Sequence, residues 1–284
     1  MFKYFKVAGA ALSIIFTLLL MSAVPVQNSL SDFILKLQAP YISLYGSYSS
    51  NPDTFRVVKF GYNLGVDAAA PEDIWSYGGQ MTYTSASQTL NIVSSSTDDD
   101  TGGTGATGVL VTGLGSDGLT LEEIVPLDGT STVTTTGEFM FVNRMVVYYS
   151  GTGLKNAGNI TASQTTSGTV LAYIPTGTGV TQQLMYRVPR DRKCYINNLY
   201  VSVDKLSGSS PRAIFLVKVF NPLLTNTEYV VRRELLDSSV ESNRSFPNFK
   251  DQTLGPDEII NIEVSTTANA TEVSGTIDMI CVTL

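Results

Sequence analysis

The side chains best suited to chemistry near neutral pH are scarce in this chain. Its 284 residues contain no histidine and two cysteines, Cys194 and Cys281. Histidine is the commonest general acid–base group near neutral pH and the commonest metal ligand, so its absence disfavours both roles. The two cysteines have neither CxxC spacing nor histidine partners, which argues against a zinc site. We therefore expect no catalytic residue, no cofactor and no metal site, and a protein that is not an enzyme.

Three other patterns could carry chemistry, and each has a simpler interpretation. Asp98-Asp99-Asp100 could offer oxygen ligands to Ca²⁺, but it lacks the ligand spacing of an EF-hand, so a solvated turn is favoured. Glu72-Asp73 cannot form a catalytic pair as strand neighbours, because adjacent side chains point to opposite faces; a turn or a short helix start is favoured. The glycine-rich segment 102–108 lacks the Lys-Ser/Thr of a phosphate loop, which favours a flexible hairpin tip.

Charge argues against nucleic acid as a partner. The formal net charge is −7, and the nearest approach to a basic cluster is Arg187, Arg190, Arg192 and Lys193. Asp191 interrupts that cluster, so a solvated loop is favoured over phosphate binding. A nucleic-acid groove needs clustered Lys and Arg, and none is evident.

Cys194 and Cys281 each lie beside strand-forming residues and are far apart in sequence. Buried free thiols are the simpler interpretation. A disulfide joining two strands is the alternative, and the redox compartment that would decide between them is unknown.

The N-terminus carries the longest apolar segment. Residues 7–26 form a run of twenty uncharged residues that follows Lys3 and Lys6, and as a helix they would span about 30 Å. A retained membrane anchor, a cleaved signal peptide and a helix buried in a protein partner all fit. The side chains expected to enter lipid or a partner are Val7, Leu12, Ile14, Ile15, Phe16, Leu18, Leu19 and Leu20.

The remainder consists of short apolar runs separated by Gly, Ser and Thr, which is typical of an all-β protein. In 195–203, for example, Leu199, Val201 and Val203 alternate with polar residues. A shift in composition near residue 182 predicts two β-sandwich, jelly-roll-like domains behind the N-terminal helix. Their expected bounds are 1–28 (hydrophobic helix), 29–55 (connecting segment), 56–182 (Gly/Thr-rich sandwich) and 183–284 (second sandwich).

Several blocks resemble a family of virion structural proteins from marine tailed phages and related aquatic viruses. The resemblance rests on 59–63 (Lys-Phe-Gly-Tyr-Asn), 71–75 (Pro-Glu-Asp-Ile-Trp), 113–118 and 195–203, and it covers most of 57–205. It implies an external, vertex-associated or decoration component of a particle. Two features depart from the pattern: the hydrophobic segment 7–26, and Pro-Arg-Asp after Val188 where the family has Pro-x-Gly.

The leading hypothesis is therefore a virion structural protein. It would bind copies of itself and other capsid proteins, with a lipid membrane as a further partner through residues 7–26, at the capsid surface or a membrane-proximal shell. Ile74, Trp75, Tyr77 and Tyr83 are the expected structural anchors of the first domain. The alternative is a secreted or surface-anchored carbohydrate-binding module, because fourteen tyrosines and twelve phenylalanines could line a glycan receptor site. A carboxylate-based glycosidase is a third hypothesis.

Overall fold

Strands make up all the regular structure that the computed structural model describes, which covers residues 53–84, 86–205, 210–221, 227–247 and 252–284. None of these residues lies in a helix, so the all-β prediction is confirmed for this part of the chain. The predicted N-terminal helix, from Val7 to Leu20 and its neighbours, lies outside the described residues. The strands are β1 (Thr54–Val66), β2 (Glu72–Asp73), β3 (Leu90–Ser94), β4 (Ala106–Leu114), β5 (Thr120–Pro126), β6 (Val133–Thr134), β7 (Phe141–Ser150), β8 (Ile160–Gln164), β9 (Val170–Ile174), β10 (Met185–Arg187), β11 (Arg192–Lys205), β12 (Arg212–Asn221), β13 (Thr227–Asp237), β14 (Asn243–Pro247), β15 (Thr253–Leu254), β16 (Ile259–Thr266) and β17 (Thr271–Thr283).

The strands form four sheets in which the described pairings are antiparallel. Sheet I has the order β1-β17-β11-β14, with β15 also paired to β11, and sheet II has the order β10-β16-β12-β13, with β2 also paired to β16. Sheet III has the order β6-β3-β8-β9, and sheet IV has the order β5-β4-β7. Val, Ile and Thr are frequent in these strands because β-branched side chains suit a pleated, half-buried surface.

Each pair of sheets encloses its own hydrophobic cluster. Sheets I and II contribute side chains such as Val201, Ile277, Phe215 and Ile262 to one cluster. Sheets III and IV contribute side chains such as Ile92 and Val111 to a second. Alternation along the strands is what directs one row of side chains into each core.

The chain leaves the first cluster near residue 75 and returns to it near residue 183, and these two segments lie side by side. Trp75 forms an isolated antiparallel bridge with Gln183, and the Leu184 amide donates to the Ile74 carbonyl oxygen at 2.9 Å. The second cluster is thus built from a segment inserted between β2 and β10. β1 and β2 belong to sheets I and II, with the strands that follow residue 182.

The predicted boundary near residue 182 stays a prediction. The two clusters do separate close to it in sequence, although residues 51–284 together form one compact unit. A third, smaller cluster contains Trp75, Phe141, Met185 and Phe220, and therefore joins sheet IV to sheet II.

A pair of glycines lets Leu184 pack closely against sheet I. Gly61 on β1 is opposite Gly275 on β17. A Cβ at Gly61 would lie 2.4 Å from the Leu184 Cβ, and one at Gly275 would lie 2.5 Å from the Leu184 Cδ2. Side chains at these two positions would force β1 and β17 away from Leu184.

Candidate functional site

The four predicted anchors lie close together but in different environments. Ile74 and Trp75 are buried, and the Trp75 indole N–H donates to the Gly79 carbonyl oxygen at 3.0 Å. Tyr83 is partly buried, and its ring stacks on Phe220 with centroids 5.4 Å apart. Tyr77 is 50% exposed, so it lies at the surface rather than in a core.

Tyr77 belongs to a row of three aromatic rings. Its centroid is 5.1 Å from the Trp75 ring and 5.5 Å from the Tyr173 ring. Tyr77 is the middle ring of the row and is half-exposed, whereas the Trp75 indole is buried. Rings in this arrangement present rigid area with a polar tip to a ligand.

The two cysteines form a disulfide between neighbouring strands of sheet I. Cys194 on β11 is directly opposite Cys281 on β17, and both side chains are buried in the first hydrophobic cluster. The sequence left free thiols as the simpler interpretation, because the register of two distant strands cannot be obtained from either strand alone.

Glu72-Asp73 is not the turn or helix start that was expected. These residues form β2, and Asp73 is 2% exposed, with its carboxylate accepting hydrogen bonds from the Asn261 side-chain amide and the Met81 backbone amide, each at 2.6 Å. Burial, with a smaller contribution from the charge of Glu263, raises the pKa of the Asp73 carboxyl to about 6, although both hydrogen bonds and the charge of Lys218 act to lower it. The Asn261 Oδ1 and the Tyr83 hydroxyl are buried without a hydrogen-bond partner among the described residues.

Asp99 differs from the solvated turn predicted for Asp98-Asp99-Asp100. Its carboxylate is fully buried and accepts hydrogen bonds from the amides of Ala106, Ala157 and Gly158 and from the Ser94 hydroxyl, at 2.6–2.9 Å. Those donors occupy the oxygens that a cation would need. The glycine-rich segment beside it connects β3 in sheet III to β4 in sheet IV, so it is not the hairpin tip that was expected.

Arg187, predicted to lie in a solvated loop, is instead 1% exposed. Its guanidinium contacts the buried Asp257 carboxylate at 3.3 Å, and Arg190 contacts the other oxygen at 2.9 Å. Asp257 has a φ of 63°, a left-handed conformation in which Asp is among the better tolerated residues. The basic cluster therefore includes a buried ion pair.

A groove of about 650 Å³ lies where β1 and β10–β11 meet the three strands of sheet IV. The charged residues that line it are Arg56, Lys59, Glu122, Arg144 and Arg192. Four of these five are cations, but Arg56 pairs with Asp278 at 2.6 Å and Arg192 pairs with Asp191 at 3.3 Å. Lys59 and Arg144 are therefore the cations of the groove that have no carboxylate partner among the described residues.

Lys59 is the most unusual residue of this groove. It is 8% exposed and shares one face of β1 with Phe55 and Val57, which pack against the first cluster. Its amine donates a hydrogen bond to the Asn143 carbonyl oxygen on β7. Burial, followed by the charge of Arg144, lowers the pKa of the Lys59 amine to about 7. Sequence reasoning missed this site, although a lysine at an inward position of an alternating strand was a usable signal.

Sheets I and II each end in a long edge strand that exposes apolar side chains. Among the described residues, β1 (13 residues) pairs only with β17, and β13 (11 residues) pairs only with β12. The exposed apolar side chains, each 45–54% accessible, are Val58, Phe60 and Leu64 on β1 and Tyr229, Val230 and Leu235 on β13. Edge strands of this kind are templates for pairing with another chain.

The described residues contain no helix that is long and apolar enough to cross a bilayer. In the same residues, no three acidic or cysteine side chains cluster as metal ligands would.

No protein-family model and no curated protein matches the chain. Among solved structures it is similar to the Yersinia pseudotuberculosis-derived mitogen, with 8% sequence identity and a TM-score of 0.20 over 33% of this chain and 80% of the mitogen. It is similar to a chain of infectious bursal disease virus Gt strain, with 13% identity and a TM-score of 0.17 over 86% of this chain and 78% of that one. A chain of the T13 particle of that virus gives 13% identity and a TM-score of 0.17, over 90% and 77%. TM-scores this low carry neither a fold nor a function to this chain.

Proposed function

We propose that this chain is a virion structural protein, without enzymatic activity, that serves as a minor capsid, vertex or decoration component. Its β-rich body would consist of two β-sandwich, jelly-roll-like domains, packed against copies of itself and against other capsid proteins. Residues 7–26 would anchor it in a membrane or in a protein partner. Its place would be the capsid surface or a membrane-proximal shell. A relationship to the virion proteins of marine tailed phages is part of the same proposal.

The observation that supports assembly is that the edge strands β1 and β13 both expose apolar side chains. Backbone N–H and C=O groups on the free side of an edge strand can pair with a strand of another copy. The neighbouring exposed side chains would then be buried in the same contact. An interface of about 800 Å² per partner is typical of specific association, and repetition around a symmetry axis would add avidity.

The test compares the assembly of full-length wild type with that of Phe60→Lys/Leu64→Lys on β1 and Tyr229→Lys/Leu235→Lys on β13. Mass photometry and light scattering should show ordered oligomers for the wild type and a shift toward monomer for one or both edge variants. Val240→Lys is the matched control, because Val240 is 86% exposed in the turn after β13. A monomeric wild type, or edge variants that assemble as the wild type does, would contradict the proposal.

Electron cryo-microscopy of the purified assembly tests the role of residues 7–26. Helical density crossing a bilayer beneath a symmetric shell would support the anchored capsid component. A processed N-terminus near residue 24 on a free monomer would instead favour a secreted protein and remove the virion proposal.

A carbohydrate-binding role is the second candidate, favoured by the aromatic row of Trp75, Tyr77 and Tyr173. Glycan arrays probed with the full chain should then show binding that Tyr77→Ala abolishes. Tyr229→Ala is the control, since Tyr229 is similarly exposed on β13, away from the row. An array without hits, beside ordered oligomers, would reject this candidate.

A further inference from the structure

We propose that the groove between β1 and sheet IV binds an anionic group, a sulfate, phosphate or carboxylate carried by a small ligand, through the Lys59 amine and the Arg144 guanidinium. This inference does not rest on assembly through edge strands. Phe60 and Leu64 do not line the groove, although the exposed Val58 of the same strand does.

Lys59 is buried and has no carboxylate partner among the described residues. An ammonium carries three donors, and the Asn143 carbonyl oxygen accepts from one of them. Two other cations of the described residues are largely buried, and both have carboxylate partners. Arg187 contacts Asp257 at 3.3 Å, and Lys218 contacts Glu263 at 2.8 Å. Burying a charge without a partner is costly, so an external anion would stabilise the charged form of the Lys59 amine.

Arg144 adds a second positive charge to the same groove. It follows Asn143 on β7, its side chain is exposed on the groove, and it has no carboxylate partner among the described residues. Its charge acts on the Lys59 amine, because it contributes to lowering the pKa of that amine. An oxyanion between the two would relieve their repulsion and accept charge-assisted hydrogen bonds from both.

Other charged groups that line the groove have contacts of their own. Glu122, the acidic residue among the lining side chains, accepts a hydrogen bond from the Thr112 hydroxyl at 3.1 Å. Arg192 lies over the Phe55 ring, 4.6 Å from its centroid. A volume of about 650 Å³ is of the size that small-ligand sites have, so the groove accommodates more than an inorganic ion.

The proposed site has a pH dependence whose sign follows from Lys59. Since the pKa of Lys59 is about 7 and an anion binds its charged form, affinity is highest below that pH and falls above it. The other titratable groups of the groove are Arg56, Glu122, Arg144, Tyr186 and Arg192, contributed by β1, β5, β7, β10 and β11. Burial raises the pKa of Tyr186 to about 12, so this phenol does not titrate near neutral pH.

The experiment titrates the full-length chain with sodium sulfate, sodium phosphate, sodium acetate and sodium chloride at constant ionic strength. Calorimetry measures affinity, and NMR of the lysine ε-methylene follows the Lys59 pKa. We expect saturable binding of at least one oxyanion, an upward shift of the Lys59 pKa, and affinity weakened about tenfold or more in Lys59→Met and in Arg144→Met. Which of sulfate, phosphate or acetate binds best identifies the group that the natural ligand carries.

Lys155→Met is the matched control, because Lys155 is an exposed lysine in the loop between β7 and β8. The proposal is overturned by an absence of saturable binding, or by a loss in Lys155→Met as large as in the groove variants. If Lys59→Met fails to fold, Arg144→Met decides alone, since its side chain is exposed; binding as tight as in wild type would then reject the site.

Discussion

At the scale of single residues, burial brings the pKa of a lysine and of an aspartate in the described chain close to neutral pH. The pKa of Lys59 is lowered to about 7, and that of Asp73 is raised to about 6. The two act on stability with opposite signs. The folded state releases a proton from Lys59 more readily than the unfolded chain does, and it retains a proton on Asp73 more strongly.

Asp73→Asn should make the protein more stable at neutral pH. Between its ordinary pKa of 3.8 and the folded value of about 6, the folded state binds the Asp73 proton and the unfolded chain does not, so stability falls as pH rises through that window. The shift corresponds to about 3 kcal/mol. The new amide keeps an oxygen for the Met81 N–H, and Asn261 can turn its unpartnered Oδ1 toward the new N–H.

Denaturant titrations of wild type and Asp73→Asn at pH values on either side of this window measure the effect. The variant should lose much of the fall in stability between acidic and neutral pH. Asp98→Asn removes the same charge from an exposed position and should leave the pH profile unchanged. An Asp73→Asn profile parallel to that of the wild type would contradict the prediction.

At the scale of elements, β11 and β17 organise sheet I. β17 pairs with both β1 and β11, and a register irregularity between Ile196 and Asn198 changes which side chains of β11 face the core. Before the irregularity Cys194 and Ile196 point inward, and after it Leu199 and its alternating neighbours do. This β-bulge is what brings Cys194 onto the same face as Leu199 and opposite Cys281.

Removing the disulfide should lower the free energy of unfolding by about 2–4 kcal/mol, because it closes a loop with a sequence separation of 87 residues. Chemical denaturation of Cys194→Ala/Cys281→Ala against wild type measures this loss. Adding reductant should destabilise the wild type and leave the double variant unaffected. Two titratable thiols in unreduced wild-type protein, with no effect of reductant on its unfolding, would show that the bond does not form.

At the scale of the whole molecule, two cores share one chain. Strands β3–β9 enclose the second cluster, and the strands on either side of them in sequence enclose the first. Trp75 and Phe220 belong to the small cluster that joins them. Separate cores linked by a limited contact can open with different free energies.

Hydrogen exchange followed by mass spectrometry should resolve these two units. Reducing the Cys194–Cys281 bond is expected to lower amide protection in β11 and β17, and to leave β3 and β8 nearly unchanged. The reason is that the bond lies within the first cluster, whereas β3 and β8 contribute to the second. A uniform loss of protection over all strands would mean that the cores open as one unit.

The all-β class and many of the strands could be predicted from the sequence alone. The alternation of Leu199, Val201 and Val203 predicted an inward-facing row, and these residues are buried in β11. Such predictions succeed because the period of a strand is a local property that each segment carries in its own residues.

Contacts between residues that are distant in sequence became known only from the tertiary structure. Asp99 looked like part of a solvated run, and it became buried because donors from two other segments converge on it. Lys59 became a candidate anion site only because β7 passes beside β1, and Cys194 reached Cys281 only through a bulge and a register between strands far apart in sequence. Register and sheet packing are set by non-local contacts, and these depend on the whole chain rather than on the segment that contains each residue.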